Sequence, residues 1–253
     1  MQKIAVSMVF LSLLLGACQP KNAPRPSDPV PEAAKVVLIK SQSIEVKLAR
    51  HELCDAEGCH RYAMQTVQTN VPWIDGYFFK RLADLEPKAF TSQTEVMVPK
   101  VDDQELQLQD HHYFVRYIAQ HQHLALFSLQ SYSYGNQLTH SLFHQEYVNF
   151  DLNLQKRLSL QDVLEKNQQA KLLKLLYEHN QTWLNARHIE VEQLKLSDNF
   201  YFAPDALKLV YPVLELGSYA DGMTELKIPY SALSGILKAE YMPDLPSYAK
   251  PQK

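Results

Sequence analysis

The chain is poor in glycine and cysteine, with 7 glycines and 3 cysteines among 253 residues. It contains neither a glycine-rich loop of the kind that cradles phosphates nor the Gly-x-Ser-x-Gly elbow of serine hydrolases. The sequence therefore shows no signature of a nucleotide-binding enzyme or of a hydrolase with a serine nucleophile. We therefore expect a protein that is not an enzyme and that carries no cofactor.

Long apolar runs are also missing. The chain begins MQKIAVSMVFLSLLLGACQP, in which Ile4–Leu15 is apolar but shorter than a membrane-spanning helix requires. Lys3 precedes this run, and the small residues Gly16 and Ala17 follow it, as in a secretory signal peptide. We predict that residues 1–17 are a signal peptide.

The cysteine that ends this stretch suggests a lipid anchor. Leu15-Gly16-Ala17-Cys18 resembles the lipobox of bacterial lipoproteins, in which the cysteine thiol receives a diacylglyceryl group. The resemblance implies that Cys18 is lipidated, and several acyl chains hold a protein on a membrane without a spanning helix. Gln19 is compatible with sorting to the outer membrane of a two-membrane cell, with the protein facing the periplasm. The alternative is a cleaved signal followed by an incidental cysteine.

The residues after Cys18 predict an extended tether. Residues 18–35 contain prolines at 20, 24, 26, 29 and 31 and show no apolar periodicity. A proline-rich segment of this kind is semi-rigid and holds a folded domain away from the bilayer. We expect that domain over residues 36–241, followed by a flexible tail over residues 242–253.

The charge balance argues against nucleic acid as a partner. The chain has 25 Lys and Arg against 28 Asp and Glu, a net charge of −3. Loss of Lys3 with the signal peptide leaves 24 basic against 28 acidic residues, a net charge of −4. Domains that bind nucleic acid carry a basic excess on one face.

The two remaining cysteines, in HELCDAEGCHRY, favour a disulfide. Cys54 and Cys59 flank DAEG, which is typical of a turn, and thiols oxidise outside the cytoplasm. A zinc site that adds His51 and His60 is one alternative. Because Cys59 and His60 are adjacent, they would point to opposite faces of a strand, which opposes that site. Two free thiols are the other alternative.

Two further groups of side chains were weighed as chemical sites. The histidines His121, His123, His140 and His144 could hold a metal, but solvated turn histidines are the favoured interpretation, so we predict no metal site. His111 and His112 are adjacent and diverge, which makes them weaker candidates. Glu215, Asp221 and Glu225 could supply the carboxylate pair of a glycosidase, although acidic residues near an exposed turn are more often simple surface.

The apolar pattern predicts an α+β fold with a mainly antiparallel sheet packed by helices. Strands flank the cysteine pair, and two more join through a turn near His121. Asn70 is predicted to cap a helix that contains Pro72, and Ser159 is predicted to cap a short one. QQAKLLKLLYEHNQTWLNARH has the clearest helical pattern in the chain.

Three stretches resemble a known extracytoplasmic module. They are VQTNVPWIDGYFFKRLADL, YVNFDLNLQKRLSLQDVL and NFYFAPDALKLVYPVLELGSYADGMTELKIPYSAL. In order and spacing they are similar to the module of RsiV, the anti-sigma factor that senses lysozyme, and to the non-catalytic N-terminal part of PdaC-type peptidoglycan deacetylases. The resemblance covers most of the domain and implies an RsiV-like fold.

The same resemblance implies a function and a site. The expected partner is a lysozyme-like hydrolase or the peptidoglycan that such enzymes cleave. The expected contacts lie in two loops, with Tyr219 as the aromatic anchor: Gly135, Asn136 and His140 in the first, and Ser218, Tyr219, Asp221 and Gly222 in the second. A packing role for Tyr219 is the alternative. At the level of function, the alternative is a structural or assembly lipoprotein that binds another envelope protein through its sheet edge or helices.

Overall fold

The computed structural model of the chain describes residues 36–54, 58–92, 108–135 and 141–243. The predicted signal peptide, Cys18 and the tether lie outside these ranges, as does the predicted tail beyond residue 243. Within the described ranges, no helix is both long enough and apolar enough to cross a membrane.

The larger sheet contains seven of the described strands. Its order is β1-β3-β4-β5-β6-β7, and β2 pairs with the beginning of β3. These strands are β1 Ser41–Glu45, β2 Glu52–Cys54, β3 Cys59–Thr69, β4 Leu108–His121, β5 Leu124–Gly135, β6 Leu142–Asp151 and β7 Lys156–Leu158. The pairing of β3 with β4 is parallel, and the other pairings in this sheet are antiparallel.

Two helices lie in the connection that makes β3 and β4 parallel. They are α1, Pro72–Leu85, and α2, Pro87–Phe90. A parallel pair needs a long crossover because the chain must return to the same end of the sheet. One face of α1 covers the sheet: Ile74, Phe78 and Leu82 are fully buried, at the i, i+4 and i+8 spacing of an amphipathic helix.

The prediction that Asn70 caps α1 is wrong. The residue at the cap position is Val71, whose side chain makes no capping hydrogen bond, and Pro72 occupies the first turn. The Asn70 side chain instead accepts a hydrogen bond from the Lys40 amide at 2.7 Å and donates to the Leu38 carbonyl at 2.9 Å. This side chain is therefore used to hold the segment before β1.

The second half of the molecule has its own small sheet and core. The sheet has the order β10-β9-β8, with β8 Phe200–Phe202, β9 Ala206–Tyr211 and β10 Thr224–Pro229. Helix α3, Leu160–Val163, begins with the predicted Ser159 cap, and α4, Gln169–Asn185, follows it. Leu172, Leu176 and Leu184 of α4 are buried in this second core.

Asn199 attaches the small sheet to the large one. Its side-chain oxygen accepts from the Tyr147 amide at 2.8 Å, and its side-chain nitrogen donates to the Gln145 carbonyl at 2.7 Å. Both partners are backbone groups of β6, so one amide side chain takes the place of a neighbouring strand.

The α+β class with mainly antiparallel sheets is confirmed. The predicted turn near His121 joins β4 to β5, and β5 is a central strand with β4 and β6 on its two sides. Met242, which was assigned to the tail, packs against the second core. The division of the chain at residues 17, 35 and 241 stays a prediction.

The structure contains a disulfide between Cys54 and Cys59, consistent with the favoured interpretation of the sequence. The two residues face each other at the end of the antiparallel β2–β3 pair, with their Cα atoms 4.0 Å apart. Because both sulfurs are in the disulfide, they are not available for the alternative zinc site. The residues of the turn at 55–57 lie outside the described ranges.

We expect the chain to fold without this disulfide. The bridge closes a loop with a sequence separation of 5 residues, and so short a loop contributes only about 2 kcal/mol in the chain-entropy model. A Cys54→Ser, Cys59→Ser double variant should therefore unfold cooperatively, with a midpoint lowered by roughly 4 to 8 °C. Calorimetry of the variant and the parent chain measures this, and an unfolded variant at room temperature would contradict it.

Candidate binding surface at the Tyr219 loop

The loop between β9 and β10 is held by a reciprocal cap. Tyr219–Asp221 forms one 3₁₀ turn, and the Asp221 carboxylate accepts from the Ser218 amide at 2.8 Å and from the Ser218 hydroxyl at 2.7 Å. Gly222 ends the turn with φ of 67° and ψ of −149°, a conformation that side-chain-bearing residues rarely adopt. Of the predicted residues in this loop, Ser218, Asp221 and Gly222 therefore have structural roles.

Asp221 also forms an ion pair with Arg187, which follows α4. The Arg187 guanidinium lies 2.6 Å from the second carboxylate oxygen and stacks 3.8 Å from the centroid of the Trp183 ring. The hydrogen bonds from Ser218, together with Arg187, lower the pKa of Asp221 to about 2. The carboxylate is consequently ionised at neutral pH and is unsuited to act as a general acid.

The Tyr219 side chain reaches the residue at which the described chain resumes before β6. The Tyr219 hydroxyl donates to the Ser141 carbonyl at 2.7 Å, and Ser141 directly precedes β6. Asn136 and His140 of the first predicted loop lie outside the described residues, between Gly135 and Ser141. The Tyr219 side chain therefore links the second loop to the residue before β6 while its residue stays 39% exposed. The sequence could not predict this contact between residues 78 positions apart.

Gly135 is required by packing at the end of β5. A Cβ atom at this position would lie 2.6 Å from the Leu108 carbonyl oxygen of β4. That distance is shorter than any normal contact, and the opposing atom is backbone, which cannot easily move away. The predicted binding role of Gly135 stays a prediction, but the structure supplies a reason for glycine here that needs no ligand.

Apolar side chains are exposed around this contact. Leu142, next to Ser141, is 58% exposed, and the Tyr132 ring lies against the Phe143 ring at a tilt of 39°, with centroids 4.8 Å apart. Tyr132 and Tyr134 are themselves 36% and 46% exposed. We define the Tyr219 surface as the patch formed by Tyr219, Ser141, Leu142 and Arg187.

The structure does not present the three acidic residues as a catalytic pair. Asp221 is held as described above, while Glu225 lies 2.9 Å from the Lys208 amine and accepts from the Tyr201 hydroxyl at 3.1 Å. Two of the three carboxylates are thus committed to ion pairs with neighbouring cations.

The histidines weighed as metal ligands are dispersed over the fold. His121 ends β4, His123 follows in the turn, and His144 lies on β6, while His140 lies outside the described residues. His123 has a carboxylate neighbour that the sequence did not suggest, because its Nε2 lies 3.6 Å from Asp151. Among the described residues, one cluster has metal-ligand types, Glu52 with Cys54 and Cys59, and its sulfurs form the disulfide.

One histidine pair was missed from the sequence. His60 Nδ1 and His111 Nε2 are 3.1 Å apart, and His111 Nδ1 lies 3.0 Å from the Ser133 hydroxyl. Partial burial lowers the pKa of His111. His112 points to the other face, where it stacks on Tyr134. Only the parallel register of β3 and β4 brings His60 and His111 together, so no local signal could have found them.

Comparison with known families gives one match, within the second half of the chain. Residues 152–231 match the model of a family described as "Protein of unknown function (DUF3298)". This DUF3298 domain contains α3, α4, the small sheet and the Tyr219 loop. Gly135 and Ser141 lie outside the matched residues. No curated protein sequence matches the chain significantly.

Two solved structures share the fold. One is a DUF3298 family protein from Pseudomonas aeruginosa PAO1, 21% identical, with a TM-score of 0.60, covering 83% of this chain and 99% of its own. The other is a member of the same family from Bacteroides fragilis NCTC 9343, 15% identical, with a TM-score of 0.54, covering 79% of this chain and 94% of its own. At these identities the likeness shows the fold alone.

Proposed function

We propose that this protein is a lipid-anchored, non-catalytic binding protein of the bacterial envelope, with an RsiV-like module that recognises a lysozyme-like hydrolase. The peptidoglycan glycan that such enzymes cleave is the related ligand. Lipidation at Cys18 would hold the protein on the outer membrane, with the folded part in the periplasm. The observation that supports the proposal is the Tyr219 surface, where the predicted Tyr219 loop is joined to Ser141, the residue before β6, through a hydrogen bond.

The composition of this surface suits a protein partner. Interface hot spots are enriched in tyrosine, tryptophan and arginine, and they sit among apolar contacts that exclude water. Here Tyr219 and Leu142 are exposed, while the Arg187 side chain lies across Trp183. The cap at Ser218 and Asp221 fixes the loop, which reduces the conformational entropy lost on binding.

Charge favours a basic partner at long range. The net charge of −4 expected after removal of the signal peptide would attract a basic hydrolase and raise its rate of association at low salt. At the contact itself the charges of Arg187 and Asp221 are paired. We therefore expect salt to slow association more than it speeds dissociation.

The proposal predicts that a basic lysozyme binds the purified full chain in calorimetry. Replacing Tyr219 with alanine should weaken binding by about tenfold or more, which is about 1.4 kcal/mol. Tyr219→Phe keeps the ring but removes the hydrogen bond to Ser141, so it separates ring contact from loop positioning. Leu142→Ala should also weaken binding.

Leu154→Ala provides the matched control, because Leu154 is 63% exposed and follows the opposite end of β6. It should bind lysozyme like the parent chain. Absence of measurable heat with the parent chain at high protein concentration would contradict recognition of lysozyme. Equal losses in Leu142→Ala and Leu154→Ala would place the contact elsewhere.

The exposed edge of the large sheet supports a second candidate function, assembly with another envelope protein. Every residue of β1 is exposed, and β1 pairs only with β3 among the described strands. An open edge can accept a strand from a partner. Crosslinking in cells followed by mass spectrometry distinguishes the candidates. A dominant envelope-protein adduct through β1, without a hydrolase adduct, would favour assembly.

A further inference from the structure

A cleft of about 600 Å³ lies at the far end of β5 from the Tyr219 surface. Its walls are the turn between β4 and β5, the end of β8, and the segment from Ala239 to Pro243. β5 has 12 residues, so its two ends are about 36 Å apart. The cleft is therefore separate from the surface proposed to bind a hydrolase, and its size is typical of small-molecule sites.

Aromatic and aliphatic side chains form most of the lining. Tyr201, Phe202 and Tyr241 contribute rings, and Ile118, Leu124 and Leu126 contribute aliphatic groups. Phe202 and Tyr241 are stacked, with ring centroids 6.3 Å apart. Ile118 is 49% exposed, which leaves apolar surface open to a ligand. Such walls favour a ligand that has apolar faces of its own.

Apart from the Glu240 carboxylate, the polar groups of the lining are amides, imidazoles and hydroxyls. His121 and His123 carry imidazole groups, which both donate and accept hydrogen bonds, whereas the amides of Gln120 and Asn149 already bond to backbone groups of the protein. Among the described lining residues there is no lysine or arginine, and Glu240 supplies a carboxylate. An anionic ligand would find no lysine or arginine among these lining residues to pair with. A purely apolar ligand would desolvate the imidazole groups and the Glu240 carboxylate without replacing their hydrogen bonds to water.

A buried carboxylate organises two of the lining residues. Asp151 is 3% exposed, and its Oδ1 accepts from the amides of Asn153 and Leu154 at 2.9 and 3.0 Å. Its Oδ2 accepts from the Tyr241 hydroxyl at 3.4 Å and lies 3.6 Å from His123 Nε2. One acid thus ties the β4–β5 turn to the segment that follows β10. Both walls of the cleft are held in place before any ligand arrives.

We propose that this cleft binds an uncharged sugar unit. A sugar ring has apolar C–H faces that stack on aromatic rings, and its hydroxyl groups both donate and accept, as the imidazoles of His121 and His123 do. It also carries no charge that would require lysine or arginine. If the envelope function proposed above is right, the natural ligand is a glycan of that compartment, but sugar binding at the cleft does not depend on the Tyr219 surface.

The test is a titration of the full chain with N,N′-diacetylchitobiose, followed by nuclear magnetic resonance and calorimetry. We expect saturable binding in the range of about 0.1 to 5 mM, a common strength for a small neutral ligand. Ala119→Trp, at an exposed lining position, should fill the mouth and weaken binding at least tenfold. Ala63→Trp, at an exposed position of β3 outside the lining, should leave binding unchanged.

Three outcomes would overturn the proposal. They are no binding at about 10 mM sugar, equal binding by the Ala119→Trp variant, and displacement of the sugar by octanoate at lower concentration, which would indicate an acyl-chain site. Leu142→Ala should bind the sugar like the parent chain, because that residue lies at the other end of the sheet. If the chain binds the sugar but not lysozyme, sugar binding at the cleft is supported and lysozyme is excluded as the partner.

Discussion

Replacing Phe150 with alanine is expected to lower the free energy of unfolding by about 3 to 5 kcal/mol. Phe150 is fully buried in the first core, which lies between α1 and the large sheet. Its ring lies 5.1 Å from the ring centroids of Trp73 and Tyr77, and 5.7 and 5.6 Å from those of Phe78 and Phe127. The substitution removes these edge contacts and leaves a cavity between α1 and the sheet. Denaturant unfolding followed by circular dichroism measures the change.

Phe79→Ala is the matched control. Phe79 is on the same helix that covers Phe150, but it is 51% exposed and has one described ring contact, with Phe90 at 5.4 Å. We expect this variant to lose about 1 kcal/mol or less. Similar losses in the two variants would mean that the aromatic cluster around Phe150 does not carry the first core.

The folded chain is expected to lose stability steeply above pH 10. Burial is the main cause of a raised pKa at nine tyrosines, and the shift is large at five of them, with Tyr147 and Tyr241 both reaching about 12. The other three, Tyr113, Tyr211 and Tyr230, are shifted in the same direction. In each, the folded state keeps the phenol neutral at a pH where the unfolded chain would ionise it.

The direction of this pH dependence follows from the number of protons that the folded and unfolded states bind. Below pH 10 both states hold the phenolic protons, so the stabilisation is fully present. Between pH 10 and about 12 the unfolded state has lost them and the folded state has not, so each rise in pH favours unfolding. Each phenol that the folded state keeps neutral then costs about 1.4 kcal/mol of stability per pH unit, so several together offset a large part of a typical stability.

Urea unfolding between about pH 8 and pH 11.5 tests this expectation, with tyrosinate absorbance recorded alongside circular dichroism. Ionisation of the buried phenols should coincide with loss of structure. Tyr241→Phe removes one of the five and should raise the alkaline midpoint, whereas Tyr134→Phe, at a 46% exposed residue, should not. Titration of all 14 tyrosines near pH 10 with the fold intact would contradict the assignment.

Local patterns in the sequence predicted most of the elements correctly. The apolar spacing of α4, the Ser159 cap and the turn between β4 and β5 all lie where the sequence placed them. These features depend on interactions within a few residues, so the chain specifies them locally. The disulfide belongs with them, because Cys54 and Cys59 flank a short turn.

The prediction that Asn70 caps α1 was wrong because a distant backbone segment bonds its side chain instead. Asn70 has the residue type and position of a helix cap, but its amide group pairs with the backbone of Leu38 and Lys40. That segment supplies both an N–H and a C=O, so an amide side chain satisfies two backbone groups there. A capping role would have satisfied one donor of α1.

Sequence alone therefore determined the class of fold, the main helices and the identity of the Tyr219 loop as a candidate. Tertiary structure decided which distant groups meet: Tyr219 with Ser141, His60 with His111, and His123 and Tyr241 around Asp151. The physical reason is that strand register and sheet packing are set by the summed burial of many side chains. No short stretch of sequence specifies that sum, so surfaces assembled from separate strands can be identified only in the folded chain.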